Sequence, residues 1–331
     1  MEPQKEHQRH YLPYPPNSYP QAVDKVDLRQ LFRALWKGKW IIIVTTFVFA
    51  LGSVLYSLSL PNIYKADVLL APAESSNGGG LSKMASQLGG LAALAGVNLG
   101  GGESSQADLA MQVMKSRQFI ENFINNHNLL VNLMAVEGWD LDNNHLIFDE
   151  DVYDQESNQW LRKPKGLRGA KPSVQEAYEY FSKDIFVINY DKDTGLYNVS
   201  IRYFSPYLAQ EWVSWLVQDI NKVMRERTIA ETTQNLSYLN SQLQKTAVAD
   251  MQSTFYKLIE EQTKSLMLAE VQEEFIFKVI DPAVIPEIKS SPNRILIIFL
   301  GVLLGGFFGT FFVIVRDFVI NDNIQEKQVA N

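Results

Sequence analysis

From Asp281 to Arg316 the chain reads DPAVIPEIKSSPNRILIIFLGVLLGGFFGTFFVIVR, and this stretch decides the fold. Pro282, Pro286 and Pro292 each lack a backbone donor and disfavour helix in the residue before them, so the first half is a stiff, non-helical link. After Arg294 the character changes: Ile295 to Val315 carries no charge and no proline. About 20 such residues, rising ~1.5 Å each, cross the roughly 30 Å of a bilayer's hydrocarbon. Arg294 stands where its long side chain can snorkel to the headgroups. Gly301, Gly305 and Gly309 recur every four residues with Gly306 beside them, a small-residue ridge on one helix face that lets a second helix approach closely in lipid.

That second helix is found near the other end. Trp40 to Leu60 reads WIIIVTTFVFALGSVLYSLSL, again uncharged and without proline. It begins too far into the chain for a cleaved signal peptide and ends in Leu58-Ser59-Leu60-Pro61, without a small-residue cleavage pattern. The basic residues Arg29, Arg33, Lys37 and Lys39 precede it, and the next basic residue beyond it is Lys65. This asymmetry predicts a cytoplasmic N-terminus. Two spans then put both termini in the cytoplasm and the folded middle in the periplasm of a bacterial inner membrane.

The intervening pattern predicts the following order. Residues 1–26 form a Pro/Tyr-rich disordered cytoplasmic tail, and 27–39 an amphipathic juxtamembrane helix whose basic face meets membrane lipids. The first transmembrane helix (40–60) leads into a mixed α/β base domain (61–204). Within it, Ile63 to Leu70 reads as a strand and the Gly-rich segment 78–102 has no register for a phosphate loop. Asp108 to Leu130 reads as one helix capped by Asp108, and Ser173 caps another. Residues 137–172 run acidic, then basic. They are read as a solvated loop with paired charges, the alternative being an anionic-polysaccharide patch with Trp139 and Trp160 stacking on sugars. Strands at 185–190 and 197–204 flank a turn at Asp193-Thr194-Gly195.

From Ser205 to Glu273 a helical pattern runs without glycine or proline after Pro206. Unbroken, it would stretch roughly 100 Å, yet the strand that follows must pair in the same base. A turn around Thr246 to Asp250 therefore makes 205–273 a long helical hairpin, followed by a return strand and Pro-rich linker (274–294). The second transmembrane helix (295–315) and a short cytoplasmic tail (316–331) complete an α+β membrane protein with a protruding α-helical hairpin.

Composition narrows the function. The net charge of -7 argues against nucleic acid as a partner, and the absence of cysteine excludes thiol chemistry, disulfides and cysteine-bound metals. The histidines are His7, His10, His127 and His145, and no metalloprotease or nucleophile-elbow motif occurs. No catalytic, cofactor or metal residues are assigned, and the chain reads as non-enzymatic.

The two terminal spans, the periplasmic middle, the Pro/Gly-marked segment 281–316 and the run FYKLIEEQTKSLMLAEVQEEFIFKVIDPAVIPE (Phe255 to Glu287) together resemble the Wzz-type chain-length determinants, the polysaccharide co-polymerases. The resemblance extends from Val26 to Phe318. It implies a homo-oligomeric ring, an octamer by family precedent. It also implies partnership with a Wzy-type polymerase and an undecaprenyl-linked glycan, and control of O-antigen length in lipopolysaccharide. Only residues 316–331 follow the second span, so the resemblance is to the kinase-free class. The alternative it leaves is an export adaptor working with a separate cytoplasmic tyrosine kinase.

Overall fold

The computed structural model describes Arg33 and residues 35–73, 103–246 and 248–329. The tail expected over 1–26, most of the helix expected over 27–39 (Arg29 included) and the Gly-rich segment 78–102 lie outside the described residues. The chain forms two compact units, one of Met1–Ser57 with Arg294–Asn331 and one of Leu58–Asn293.

In chain order the elements are α1 (Lys39–Ser59), β1 (Tyr64–Pro72), α2 (Glu103–Lys115), α3 (Arg117–Asn126) and α4 (Leu130–Ala135). Two small hairpins follow, β2 (Val136–Asp140) with β3 (His145–Phe148) and β4 (Tyr153–Asp154) with β5 (Gln159–Trp160). Then come α5 (Val174–Tyr180) with a π-helical extension (Phe181–Ile185), β6 (Phe186–Tyr190), β7 (Tyr197–Tyr203) and α6 (Pro206–Lys245). The chain closes with α7 (Ala249–Val271), β8 (Phe277–Asp281) and α8 (Arg294–Val329). The last helix does not stop at Val315 but continues through the segment expected as a tail.

The Leu58–Asn293 unit is built on a four-stranded antiparallel sheet in the order β6-β7-β1-β8. Alternation sets its faces. Ala66, Val68 and Leu70 of β1 and Tyr197, Val199, Ile201 and Tyr203 of β7 are buried. Onto this sheet α6 lays Trp212, Val213, Leu216 and Ile220, all fully buried. The register pairs Tyr64 with Tyr203 and Leu70 with Tyr197, so the strand leaving the first apolar helix is central rather than an edge.

The helix expected over Asp108 to Leu130 is broken, and the break has a local cause. Ser116 is extended (φ -67, ψ 147) and its hydroxyl accepts from the Phe119 N–H, starting α3 afresh. Asp108 does not cap; it lies inside α2 and accepts the Tyr197 hydroxyl at 2.8 Å. Burial, and then that carboxylate, push the Tyr197 pKa well up. Ser173 does cap α5, in a reciprocal box with Glu176, and Ser205 caps α6 by accepting from Leu208 N–H.

Beyond Met224 the only buried residue of α6 is Thr232; the rest of the helix runs alongside α7 as a hairpin. Between α6 and α7 the chain turns back without glycine or proline. Thr246 Oγ1 donates to Gln242 O at 2.9 Å, and Gln252 Nε2 donates across the turn to Thr246 O at 2.8 Å. The hairpin returns to the sheet through Asn221. This buried side chain accepts the N–H groups of Ile276 and Phe277 (2.9 and 3.0 Å) and donates to Phe277 O (3.0 Å). β8 pairs with β1 on one side, and the Asn221 amide supplies partners for the backbone groups that the ladder leaves free.

Candidate functional site

Within the first unit α1 and α8 run antiparallel, and glycine decides how closely. A Cβ on Gly305 would lie 2.8 Å from Thr46 Cα and 2.8 Å from Phe49 Cβ. One on Gly309 would lie 3.0 Å from Ile42 Cα and against Thr45 Oγ1, and one on Gly301 would overlap Ser53. By contrast a Cβ on Gly306 would meet only Thr46 Oγ1, at 3.9 Å, and one on Gly52 would meet nothing within 4 Å. The three glycines spaced by four are thus the ones whose faces meet the opposite backbone and its small side chains. Phe49 stacks on Phe308 beside them, with ring centroids 5.7 Å apart.

The α1 side of this seam is also small: Gly38 against Val313, then Thr45, Thr46 and Ser53. Thr45 donates to Ile41 O and Ile42 O and Ser53 to Ala50 O, so these hydroxyls are satisfied within their own helix. Sequence reasoning missed this half. The signal was there in the small residues at 38, 45 and 53, about two turns apart, but it is diluted among larger apolar neighbours.

The described basic residues at the start of the first apolar helix, Arg33 and Lys37 ahead of α1 and Lys39 at its first position, are exposed, with Lys39 Nζ 5.0 Å from the Trp36 ring centroid. In the linker Pro282 directly follows β8, Pro286 is half-buried, and Pro292 follows a cis peptide bond from Ser291. Arg294 is the first residue of α8. The linker is tied to the residues after α1: Ile63 N–H donates to Ser291 O at 2.9 Å, Ser290 N–H donates to Ile63 O at 2.8 Å, and Lys289 Nζ donates to Asn62 Oδ1 at 3.1 Å. The Leu58–Asn293 unit therefore holds its own first and last segments side by side.

The region 137–172 carries two related hairpins up to Trp160 and is irregular only beyond it. In each an aspartate (Asp140, Asp154) accepts hydrogen bonds from the turn, and an asparagine at positive φ (Asn144, Asn158) accepts from an aromatic handle, Trp139 Nε1 or Tyr153 OH. Those turn hydrogen bonds hold both aspartates below the usual carboxylate range. The acidic and basic runs do not pair with each other among the described residues. Instead Arg162 grips Glu176 of α5 in a fork (2.8 and 3.2 Å), and Arg168 reaches Glu176 and Glu179. The Arg162 hydrogen bond lowers the Glu176 pKa against the opposing effect of burial. Trp160 packs on Tyr153 with centroids 4.9 Å apart.

His127 stacks on Trp215 (centroids 4.3 Å apart, planes 9° apart) and lies 3.0 Å from Asp219 Oδ2, bracing α3 against α6. A cavity of ≈ 450 Å³ opens beside this brace, its walls carrying Gln118, Asn122, Lys222, Glu226 and Arg227. Among the described residues no group of three His, Asp or Glu side chains converges as a metal ion requires.

The structure thus defines a class: a mixed helix–strand body bracketed by two helices, Lys39–Ser59 and Arg294–Asp317, each long and apolar enough to cross a membrane. Comparison with known families narrows it. Residues 24–127 match the Wzz family, described as chain length determinant protein, and residues 237–318 match the G-rich domain on putative tyrosine kinase. The chain thus joins a Wzz chain length determinant domain to a G-rich domain of this kind.

No curated protein matches the chain. A solved full-length bacterial polysaccharide co-polymerase is similar at 13% identity over 89% of this chain and 99% of its own, with a TM-score of 0.37. A fragment of WzzB, a polysaccharide co-polymerase from Salmonella Typhimurium, is similar at 12% identity over 69% of this chain and 99% of its own, with a TM-score of 0.27. Similarities of this size carry no argument of their own.

Proposed function

We propose that this chain is a non-enzymatic regulator of surface polysaccharide length, acting on lipopolysaccharide O-antigen as a homo-oligomeric scaffold beside a Wzy-type polymerase. The observation that carries the reading is the family match at 24–127 together with two helices of spanning length bracketing one folded body. The cations Arg33, Lys37 and Lys39 at the start of the first apolar helix support cytoplasmic termini and a periplasmic body. The tie between Ile63 and Ser291 keeps the first and last segments of the body side by side. In this reading an undecaprenyl-linked glycan grows next to a ring of copies whose shape, rather than a reacting side chain, sets when elongation stops. The close seam at Gly301, Gly305 and Gly309 makes the two anchors of each copy one rigid foot.

A second reading has one specific observation in its favour. The profile matching 237–318 is named for a domain found on tyrosine kinases, as an export adaptor serving a separate cytoplasmic kinase would carry. Deleting the gene separates the two. Under the first reading polymer persists with its preferred length lost; under the second, surface polymer disappears. A deletion strain whose glycan ladder is unchanged sinks both.

A further inference from the structure

Among the apolar side chains that the described part of the body exposes, one run lies where the chain returns toward α8. Val284 (71% exposed), Ile285 and Ile288 (83% exposed) project from the proline-marked linker. They do not stand alone. Gln210 Nε2 donates to Ala283 O at 3.2 Å and ties the linker to the first turns of α6, where Tyr207 is also exposed. Tyr207 in turn neighbours Trp139 (centroids 6.2 Å apart), and Trp139 meets Tyr64 edge-on at 5.6 Å. Tyr64 adjoins Ile63, which pairs with Ser291 at the far end of the linker. Four separate segments therefore bring these aromatic and aliphatic groups into one neighbourhood.

We propose that this patch (Tyr64, Trp139, Tyr207, Val284, Ile285 and Ile288) seats in the lipid headgroup layer, making the body a membrane-contacting domain as well as a membrane-tethered one. The inference rests on the reading of α1 and α8 as spans. Chain length selects lipid as the occupant. Tyr64 follows Ser59, the end of α1, by five residues, and Arg294 follows Ile288 by six. At no more than ~3.6 Å per residue the linking chain reaches at most about 18–22 Å, and the Ile63–Ser291 pairing removes slack from both arms at once. The chemistry agrees. Tyrosine and tryptophan concentrate at membrane–water interfaces because one end of each ring system is apolar and the other polar. Aliphatic groups at the same depth gain from leaving water, and an apolar patch left in water would be a liability.

The chain contains no cysteine, so single labels need no background removal. Nitroxide labels at Val284→Cys and Ile288→Cys would be measured in the full chain reconstituted into phosphatidylethanolamine–phosphatidylglycerol liposomes, by collision with oxygen and with a water-soluble nickel chelate. Phe47→Cys, exposed on α1, and Leu167→Cys, exposed in a loop, serve as references. Chelate collision at 284 and 288 should fall several-fold below that at 167 while oxygen collision rises above it, giving a depth shallower than that of 47. Chelate collision equal to that at 167 overturns the proposal, and so does exclusion of both reagents, which would mean a second protein covers the patch. If the label at 47 also behaves as aqueous, the spanning reading itself fails and the proposal falls with it.

Discussion

Replacing Gly305 by leucine should force the two apolar helices apart, and the structure sets the scale. A Cβ there would stand 2.8 Å from Thr46 Cα, whereas carbon atoms rest about 3.5–4.0 Å apart, so the backbones must separate by about 0.7–1.2 Å. Because the obstacle is backbone, no rotamer change relieves it. Such a gap forfeits roughly a quarter to a half of the dispersion along the seam, and overpacking of this kind costs about 1–3 kcal/mol. That is about five- to 150-fold in any equilibrium that requires the closed pair. Gly306→Ala and Gly52→Ala are the controls, since a Cβ at either finds ordinary contact or open space. The assay is disulfide formation between Gly38→Cys and Val313→Cys, residues in direct contact across the same seam, in an otherwise cysteine-free chain held in membranes. Adding Gly305→Leu should slow that crosslink about tenfold, with the two control substitutions leaving its rate unchanged. Equal rates in all three backgrounds would refute the argument from close approach.

Substitutions at three other residues test the body. Asn221→Ala strands two N–H groups and a carbonyl, so it should cost about 3–5 kcal/mol and speed amide exchange at Ile276 and Phe277; exchange at the parent rate would show that the clamp is dispensable. Trp212 is fully buried with its indole N–H lacking a hydrogen bond and its ring against Tyr203 at 4.3 Å. Trp212→Phe should therefore cost less than about 2 kcal/mol and Trp212→Ala about 3–5 kcal/mol, as read by denaturant titration of the full chain in detergent; similar costs for both would contradict the packing account. Glu176 has a lowered pKa, so the stability it contributes is complete above the ordinary glutamate pKa of about 4.3 and drains away as the pH falls through its depressed folded value. Acid titration of Glu176→Gln should lack that component, and a parental acid limb in this variant would remove the Arg162 fork as its source.

The two long apolar helices were legible because their signal is simple: some twenty uncharged residues need no partner to identify them. The hairpin was legible for another reason. Its turn between α6 and α7 has no breaker residue and followed only from the need of β8 to rejoin the sheet, a constraint of length rather than of local chemistry. Other features needed coordinates. A serine at 116 looks like any helical serine until its hydroxyl is seen capping α3. The two hairpins within 136–160 are built from aromatic-to-asparagine and aspartate-to-turn hydrogen bonds, which composition scores as polar loop. For the helix seam, the glycine ridge of α8 stood out by repetition. Its counterpart on α1 did not, because threonine and serine serve as small residues there only when their hydroxyls fold back on their own helix.

The proposed role is control of how long a surface glycan grows. The most direct measurement places it in a bacterium whose own length determinant has been deleted and resolves the surface polysaccharide by gel electrophoresis. The account predicts that the unregulated ladder collapses into a new preferred length set by this chain, and that Gly305→Leu blurs it. A ladder that stays unregulated with the chain present in the membrane at normal abundance would contradict it.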